Sequence, residues 1–134
     1  MQQNSGSELV SILYKDTKNR SITWVEDKYE ASKLYPLLDI IRAFNTRILP
    51  HTEDYFYVIE YIVPRYNPDF DRFYNEAAYL LAFVSRGVIG KEYFENGYPD
   101  PIDIRPLIEE IALQVSDATN TINRFIQERT KDKN

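Results

Sequence analysis

The chain has 134 residues, of which 43% are apolar and 28% charged, and its formal net charge at pH 7 is −5. This composition predicts one folded domain over residues 1–134 and excludes a disordered or low-complexity chain. Apolar runs are too short to cross a bilayer, and residues 1–7 are polar and unlike a signal peptide, so we expect a cytoplasmic protein. Cysteine is absent, which excludes disulfides and thiol chemistry.

The first third of the chain predicts two helices. Ser5 and Glu8 have capping-box spacing before an apolar run, which indicates a short N-terminal helix, with a strand over residues 9–14 as the alternative. A second helix is expected from residue 23 to residue 48, because its apolar side chains recur every three or four positions. Pro36 removes a backbone donor inside this segment and predicts a break there.

The segment Tyr55–Val63 is rich in β-branched and aromatic residues, which by propensity alone predicts a strand. It follows Thr52, Glu53 and Asp54, which together are typical of a helix start, and its apolar residues alternate poorly. We therefore expect a helix here. The alternative is an α+β fold in which this segment pairs with the N-terminal segment in a small hairpin.

The second half of the chain predicts three more helices. Residues 69–84 are apolar on most sides of a helix that would end at Gly87, and a short helix is expected over residues 91–96. The last helix has apolar residues at alternating steps of four and three, a heptad seam of about three heptads. These are Ile104, Ile108, Ile111, Val115, Ala118, Ile122 and Phe125. The predicted fold is an all-α bundle of four or five helices with a long C-terminal helix.

Acidic residues are concentrated in one stretch. From Glu92 to Asp117 there are seven acidic residues and one basic residue, a net charge of −6. Such a band repels phosphate groups, so we expect no direct binding to nucleic acid. It would attract a protein with a basic surface.

Tyrosine is the outlying residue type, with 11 copies. Tyr55, Tyr57, Tyr61 and Tyr66 lie within 12 residues of each other, and in a helix Tyr55 and Tyr61 would point to different faces. Some of these rings should therefore reach the surface, where tyrosine is enriched at protein interfaces. The alternative is that they pack inside an aromatic core.

Residues typical of enzymes are scarce. His51 is the single histidine, so any Ser/His/Asp triad must use it, and no serine has a recognisable nucleophile elbow. The chain contains neither a P-loop nor a dinucleotide-binding glycine motif, and we expect no cofactor. We interpret His51 as a solvated loop residue.

One metal site is the alternative. Glu109 and Glu110 are adjacent on the predicted last helix, and Asp117 follows two turns later. Helical magnesium-dependent nucleotide hydrolases place Glu-Glu-x-x-Glu on one helix, but the third acid is missing here. Asp69 would be the remaining ligand.

The leading hypothesis is a small acidic protein-binding module that acts as a regulator, adaptor or inhibitor of another protein. A metal-dependent nucleotide hydrolase or a small-molecule-binding helical domain is the alternative. The stretch from Phe73 to Leu81, with residues 86–89, resembles a segment of small helical domains of bacteria and their phages, which implies a helix and an origin on a mobile element but no active residues. We expect no membrane partner, and a homodimer through the C-terminal helix is a further alternative. The predicted partner-binding residues are Tyr55, Tyr57, Tyr61, Tyr66, Glu92, Glu95, Asp100 and Asp103.

Overall fold

The computed structural model describes residues 6–95 and 102–131 and has an α+β fold. The five strands form one antiparallel sheet in chain order, so each strand pairs with its sequence neighbour. The predicted all-α bundle is therefore wrong. The elements are α1 (Gly6–Lys18), β1 (Val25–Glu26), α2 (Lys28–Leu34), β2 (Asp39–Arg47), β3 (Asp54–Asn67), β4 (Arg72–Ser85), β5 (Val88–Phe94), α3 (Arg105–Ser116) and α4 (Ala118–Lys131).

The segment 55–63, predicted as a helix, lies in β3, where its β-branched and aromatic residues agree with their strand propensity. The apparent helix start before it is part of the turn between β2 and β3. Thr52 Oγ1 donates to the carbonyl of Leu49 (2.7 Å), and His51 has a left-handed backbone with φ of 63°. The alternative hairpin is also wrong, because the N-terminal segment is helix α1 and β3 pairs with β2 and β4.

The helix predicted over residues 69–84 is strand β4. Leu80, Leu81 and Ala82 are buried in succession because both faces of the sheet are covered at this point, so the strand lacks the alternation of a half-exposed strand. The helix implied by the resemblance of residues 73–81 is wrong for the same reason. Strand β5 replaces the short helix predicted over residues 91–96, of which residue 96 lies outside the described residues.

Helix α2 is the only helical part of the second predicted helix. Its N-cap is Asp27, whose Oδ1 accepts from the backbone N of Glu30 (3.0 Å). The helix ends at Leu34, and the break expected at Pro36 is confirmed because the chain turns there and continues as β2.

Helices α1 and α3 cover one side of the sheet, which we call the closed face. Gln114 of α3 is hydrogen-bonded to the segment before β1. Its Oε1 accepts from Trp24 N (2.8 Å), and its Nε2 donates to Ile22 O (2.8 Å). The buried side chains of this core are Val10, Leu13, Trp24, Phe44, Val58, Tyr79, Leu81, Ile102, Ile104, Leu107, Ile108 and Ile111.

Helix α2 covers part of the other side, which we call the open face. Its smaller core contains Ala31 of α2 and side chains from three strands. Those strand residues are Ile40, Ala43, Tyr57, Ile59, Leu80, Ala82 and Val84.

The predicted C-terminal helix is divided at Asp117, which has a left-handed φ of 43° and separates α3 from α4. The division splits the heptad seam, because Ile108 and Ile111 are buried in the closed-face core, whereas Ile122 and Phe125 are exposed on α4. No helix of the described residues is long and apolar enough to span a membrane.

Strands β3 and β4 extend beyond the rest of the sheet. They pair from Asp54 and Ser85 to Asn67 and Arg72, whereas β2 reaches only Ile62 and β5 begins its pairing at Leu80. Residues 63–76 therefore form a two-stranded ribbon that projects from the sheet, and we call this ribbon the arm.

Candidate functional site: an acidic cavity beside helix α2

Three of the predicted tyrosines share one side of β3. Tyr55, Tyr57 and Tyr61 are separated by even numbers of residues, so in a strand all three point to the open face. The expectation that Tyr55 and Tyr61 diverge was wrong because it assumed a helix. Tyr66 is an odd number of residues from these three, so its side chain points to the side of the closed face, on the arm.

A cavity of about 290 Å³ lies between α2 and the end of the open face, and we call it the α2 cavity. Acidic and aromatic side chains dominate its lining, and none of its described lining residues is basic. The lining residues are Asp27, Glu30, Leu34, Asn45, Glu53, Tyr55, Tyr57, Val84 and Gly87.

The carboxylate of Asp27 is fixed by two hydrogen bonds. Its Oδ1 accepts from Glu30 N at the start of α2, and its Oδ2 accepts from Asn45 Nδ2 on β2 (3.3 Å). Asn45 is buried and lies opposite Tyr57 in the register of β2 and β3. The helix cap therefore also positions an anionic group at the cavity wall.

Tyr55 and Tyr57 form the aromatic wall, with ring centroids 6.3 Å apart and planes tilted by 54°. Arg47, on β2, stands beside this wall. Its Nη2 donates to the Tyr55 hydroxyl (2.7 Å), and its guanidinium lies 5.4 Å from the centroid of the Tyr55 ring. One ring of the wall thus already has a cation against it.

The electrostatics of the α2 cavity favour positive charge. Burial raises the pKa of Tyr57, the negative charge of Asp27 raises it further, and a hydrogen bond with Asn45 offsets part of the increase. Tyr57 is therefore a neutral phenol at pH 7. The influence of Asp27 and Glu30 on this pKa reflects a negative potential inside the cavity.

Tyr61 and Glu92 lie farther along the open face. The Tyr35 hydroxyl, at the end of α2, donates to Glu92 Oε2 (2.5 Å), and burial followed by this contact raises the Tyr35 pKa well above its usual value. Burial also raises the pKa of Tyr61, Arg65 lowers it and Glu92 raises it. Glu92 therefore holds the end of α2 against β5.

The remaining predicted acids do not join this site. Glu95 Oε2 accepts from the backbone N of Ile104 (2.9 Å) and of Arg105 (3.1 Å), so it caps the start of α3. Asp103 is exposed and borders a groove between α1 and α3. Asp100 lies outside the described residues. The acidic band of the sequence is therefore not a single surface.

The four residues of the alternative metal site do not form one cluster, although Glu110 and Asp117 border the same cavity beside Arg20. Glu109 and Glu110 are on α3, Asp117 follows that helix and pairs with Arg20 (3.5 Å), and Asp69 is at the tip of the arm. The described part of the chain contains no group of three or more histidine, cysteine or acidic side chains placed to hold a metal ion.

Glu109 instead contributes to an ionic network that links α3 to the sheet. Arg42 Nη2 pairs with Glu109 Oε1 (2.9 Å), and Arg42 Nε pairs with Glu60 Oε1 (2.7 Å). Burial alone would lower the Arg42 pKa, but the two carboxylates more than offset this and raise it. Burial raises the pKa of Tyr79, and a hydrogen bond with Glu60 raises it further. This network has a structural role at the closed face.

His51 borders a separate cavity of about 410 Å³ that also contains Asp54 and Ser85. Ser85 Oγ donates to Asp54 Oδ1 (2.6 Å), and in the described residues no hydrogen bond joins His51 to either side chain. A serine nucleophile requires its proton to be accepted by the base. The three residue types are therefore close together without forming a triad.

The sequence did not identify Asp27, Glu30, Asn45 and Glu53 as site residues. Asp27 and Glu30 have the three-residue spacing of a helix start, which was the available signal. Comparisons with protein-family models, with curated proteins and with solved structures found no match for this chain.

Proposed function

We propose that this protein is a protein-binding module that takes a lysine or arginine side chain of a basic partner segment into the α2 cavity. The observation that carries this proposal is the combination of three carboxylates and two tyrosine rings around one open space, with no basic residue among its described lining residues. Carboxylates and aromatic faces are the two groups that attract organic cations in proteins.

The shape of the cavity suits the two chemical parts of such a side chain. Leu34 and Val84 offer apolar surface to an alkyl stem, while Asp27, Glu30 and Glu53 supply negative charge for the head. Glu30 also pairs with Lys33 outside the lining (3.4 Å), and this exposed ion pair would be exchanged for the partner's cation. A desolvated cation–π contact contributes up to about 2 kcal/mol. A charge-assisted hydrogen bond contributes roughly 1.5–3 kcal/mol. These energies would make one side chain an anchor within a larger interface.

Charge over the rest of the molecule would assist the encounter. Residues 1–117 contain 12 basic and 19 acidic residues, a net charge of −7. A basic partner would therefore be attracted before contact, and its association rate should fall as salt is added. This dependence would separate a basic partner from an apolar one.

A titration with Nα-acetyl-lysine-N-methylamide, followed by backbone NMR shifts, tests the proposal. We expect saturable shifts centred on Asn45, Tyr55, Tyr57 and Gly87, because these residues line the cavity. The norleucine analogue has a similar stem without the charge and should bind at least tenfold more weakly. Equal binding of the two analogues would refute a role for the cation.

The Glu30→Gln/Glu53→Gln variant removes two charges and keeps the side-chain size. We expect it to weaken lysine-analogue binding at least tenfold, since both carboxylates line the cavity. The Asp39→Asn/Asp103→Asn variant is the matched control, because it changes net charge equally at two exposed positions outside the cavity. Equal losses in both variants would indicate a general charge effect and contradict the site.

A further inference from the structure

The two sides of the arm differ in polarity, although the more polar side also carries Val63 and Tyr74. Strand alternation places Pro64, Tyr66 and Phe73 of the arm on the same side as the closed-face core, together with Asn75. Ile62 and Ala77 continue this side into the sheet. Phe73 is 77% exposed and its ring centroid is 5.1 Å from that of Tyr66. The opposite side carries the ion pair of Arg65 Nε with Glu76 Oε2 (2.8 Å).

Helix α4 has an apolar stripe that residues 6–95 and 102–131 leave exposed. All residues from 120 to 131 are exposed, and the spacing of Ile122, Phe125 and Ile126 places them on one side of the helix. Ile122 and Phe125 are each 57% exposed, and the Arg129 guanidinium lies 5.1 Å from the Phe125 ring centroid.

Each of these two elements needs a packing partner. A helix of 14 residues is marginal in water unless its apolar side is covered. A ribbon of two strands is marginal for the same reason. Their lengths also agree, because five residues of each arm strand span about 17 Å and 14 helical residues span about 21 Å.

The charges of the two elements are opposite. Helix α4 has three basic residues and one acidic residue, whereas residues 63–76 of the arm have three acidic and two basic residues. Asp69 and Asp71 are exposed at the arm tip, and Arg124, Arg129 and Lys131 are exposed on the helix. An arm beside the α4 of another copy would therefore be favoured both by apolar contact and by charge.

We propose that this chain forms a two-fold symmetric dimer in which the apolar stripe of α4 from each copy packs on the apolar side of the arm of the other copy. Two-fold symmetry repeats the contact, so each copy supplies one helix and receives one. This arrangement differs from pairing of two C-terminal helices along the heptad seam, because the first half of that seam is buried within its own copy.

Size-exclusion chromatography with light scattering measures the oligomeric state. We expect the mass of two chains for the natural protein at micromolar concentration. Phe73→Glu on the arm and Phe125→Glu on α4 should each give the mass of one chain. Both positions are exposed, and circular dichroism checks that each variant retains its fold. Val88→Glu, an exposed apolar position on β5, is the matched control and should remain dimeric.

Mixing the two monomeric variants tests reciprocity. A heterodimer of Phe73→Glu with Phe125→Glu keeps one contact in which both surfaces are natural, so the mixture should form dimers that neither variant forms alone. A natural protein that is monomeric at high concentration would overturn the proposal. So would a Phe73→Glu variant that remains dimeric, or an equimolar mixture that contains only monomers.

Discussion

The closed face of the sheet is covered by helices of 13 and 12 residues, whereas the open face is covered by a helix of seven residues. On the closed face, polar groups such as Arg42, Glu60 and Gln114 are satisfied within the fold. On the open face, tyrosines and carboxylates border a cavity. Strand β3 contributes Glu60 to the closed face and the tyrosines to the open face, since alternate residues of a strand point to opposite faces. The larger buried core therefore lies on the closed face, whereas the open face combines a smaller core with a cavity.

The largest expected effect is on the closed face. Ile108→Ala should lower the free energy of unfolding by about 2–5 kcal/mol, because Ile108 is fully buried and the substitution leaves a cavity. Leu34→Ala on the half-buried edge of the open face should cost about 1 kcal/mol. Urea unfolding followed by circular dichroism measures both values. Equal losses would show that the open face contributes as much stability as the closed face.

The next effect depends on pH. Burial raises the pKa of Tyr61 on the open face and of Tyr79 on the closed face, so the folded state resists ionisation of these phenols more than the unfolded state does. Their contribution to stability is complete below the unfolded pKa near 10 and is lost as pH rises through the folded pKa. In that window each phenol lowers stability by up to about 1.4 kcal/mol per pH unit, less where solvent screens the hydroxyl.

Urea unfolding between pH 8 and pH 11 measures this slope. Tyr61→Phe and Tyr79→Phe should each make the loss of stability above pH 10 shallower, and Tyr79→Phe should also reduce stability at pH 7 because Glu60 loses a donor. An unchanged slope in both variants would contradict the raised pKa values. A change in only one would assign the alkaline sensitivity to that face.

The smallest effect concerns the turn between β4 and β5 at the edge of the open face. Arg86 and Gly87 both have positive φ, 53° and 76°, as a two-residue type I′ turn requires. Asparagine adopts this conformation more readily than arginine, so Arg86→Asn should stabilise the fold by about 0.5 kcal/mol. Thermal unfolding measures the change, and Arg86→Lys is the control that keeps both charge and strain. A destabilised Arg86→Asn variant would indicate that the arginine side chain has a separate role.

The sequence predicted local features of the backbone better than the pairing of strands. Helix α1 was predicted from the spacing of Ser5 and Glu8, of which Ser5 lies outside the described residues, and the break at Pro36 from proline chemistry. Both signals act over a few residues. Strand β4 was mispredicted as a helix because an apolar run without alternation, such as Leu80, Leu81 and Ala82, fits a central strand as well as a buried helix. At residues 55–63, strand propensity was correct and the helix-start signal before it belonged to a turn.

The α2 cavity was beyond prediction for a different reason. Asp27, Asn45, Glu53 and Val84 come from four separate parts of the chain and meet only through the order and register of the sheet. The sequence did single out Tyr55 and Tyr57. Their common face, however, depends on the two-residue period of a strand, and the helical interpretation separated Tyr55 from Tyr61.

The side chain of Gln114 has a consequence for how the chain folds. All five strands pair with sequence neighbours, so the sheet can grow by short loop closures, whereas Gln114 bonds to Trp24 and Ile22 across about 90 residues. Contacts of such separation carry the largest closure entropy and tend to form late. We expect Gln114→Ala to accelerate unfolding while leaving the folding rate nearly unchanged, which would place the docking of α3 on the segment before β1 after the rate-limiting step.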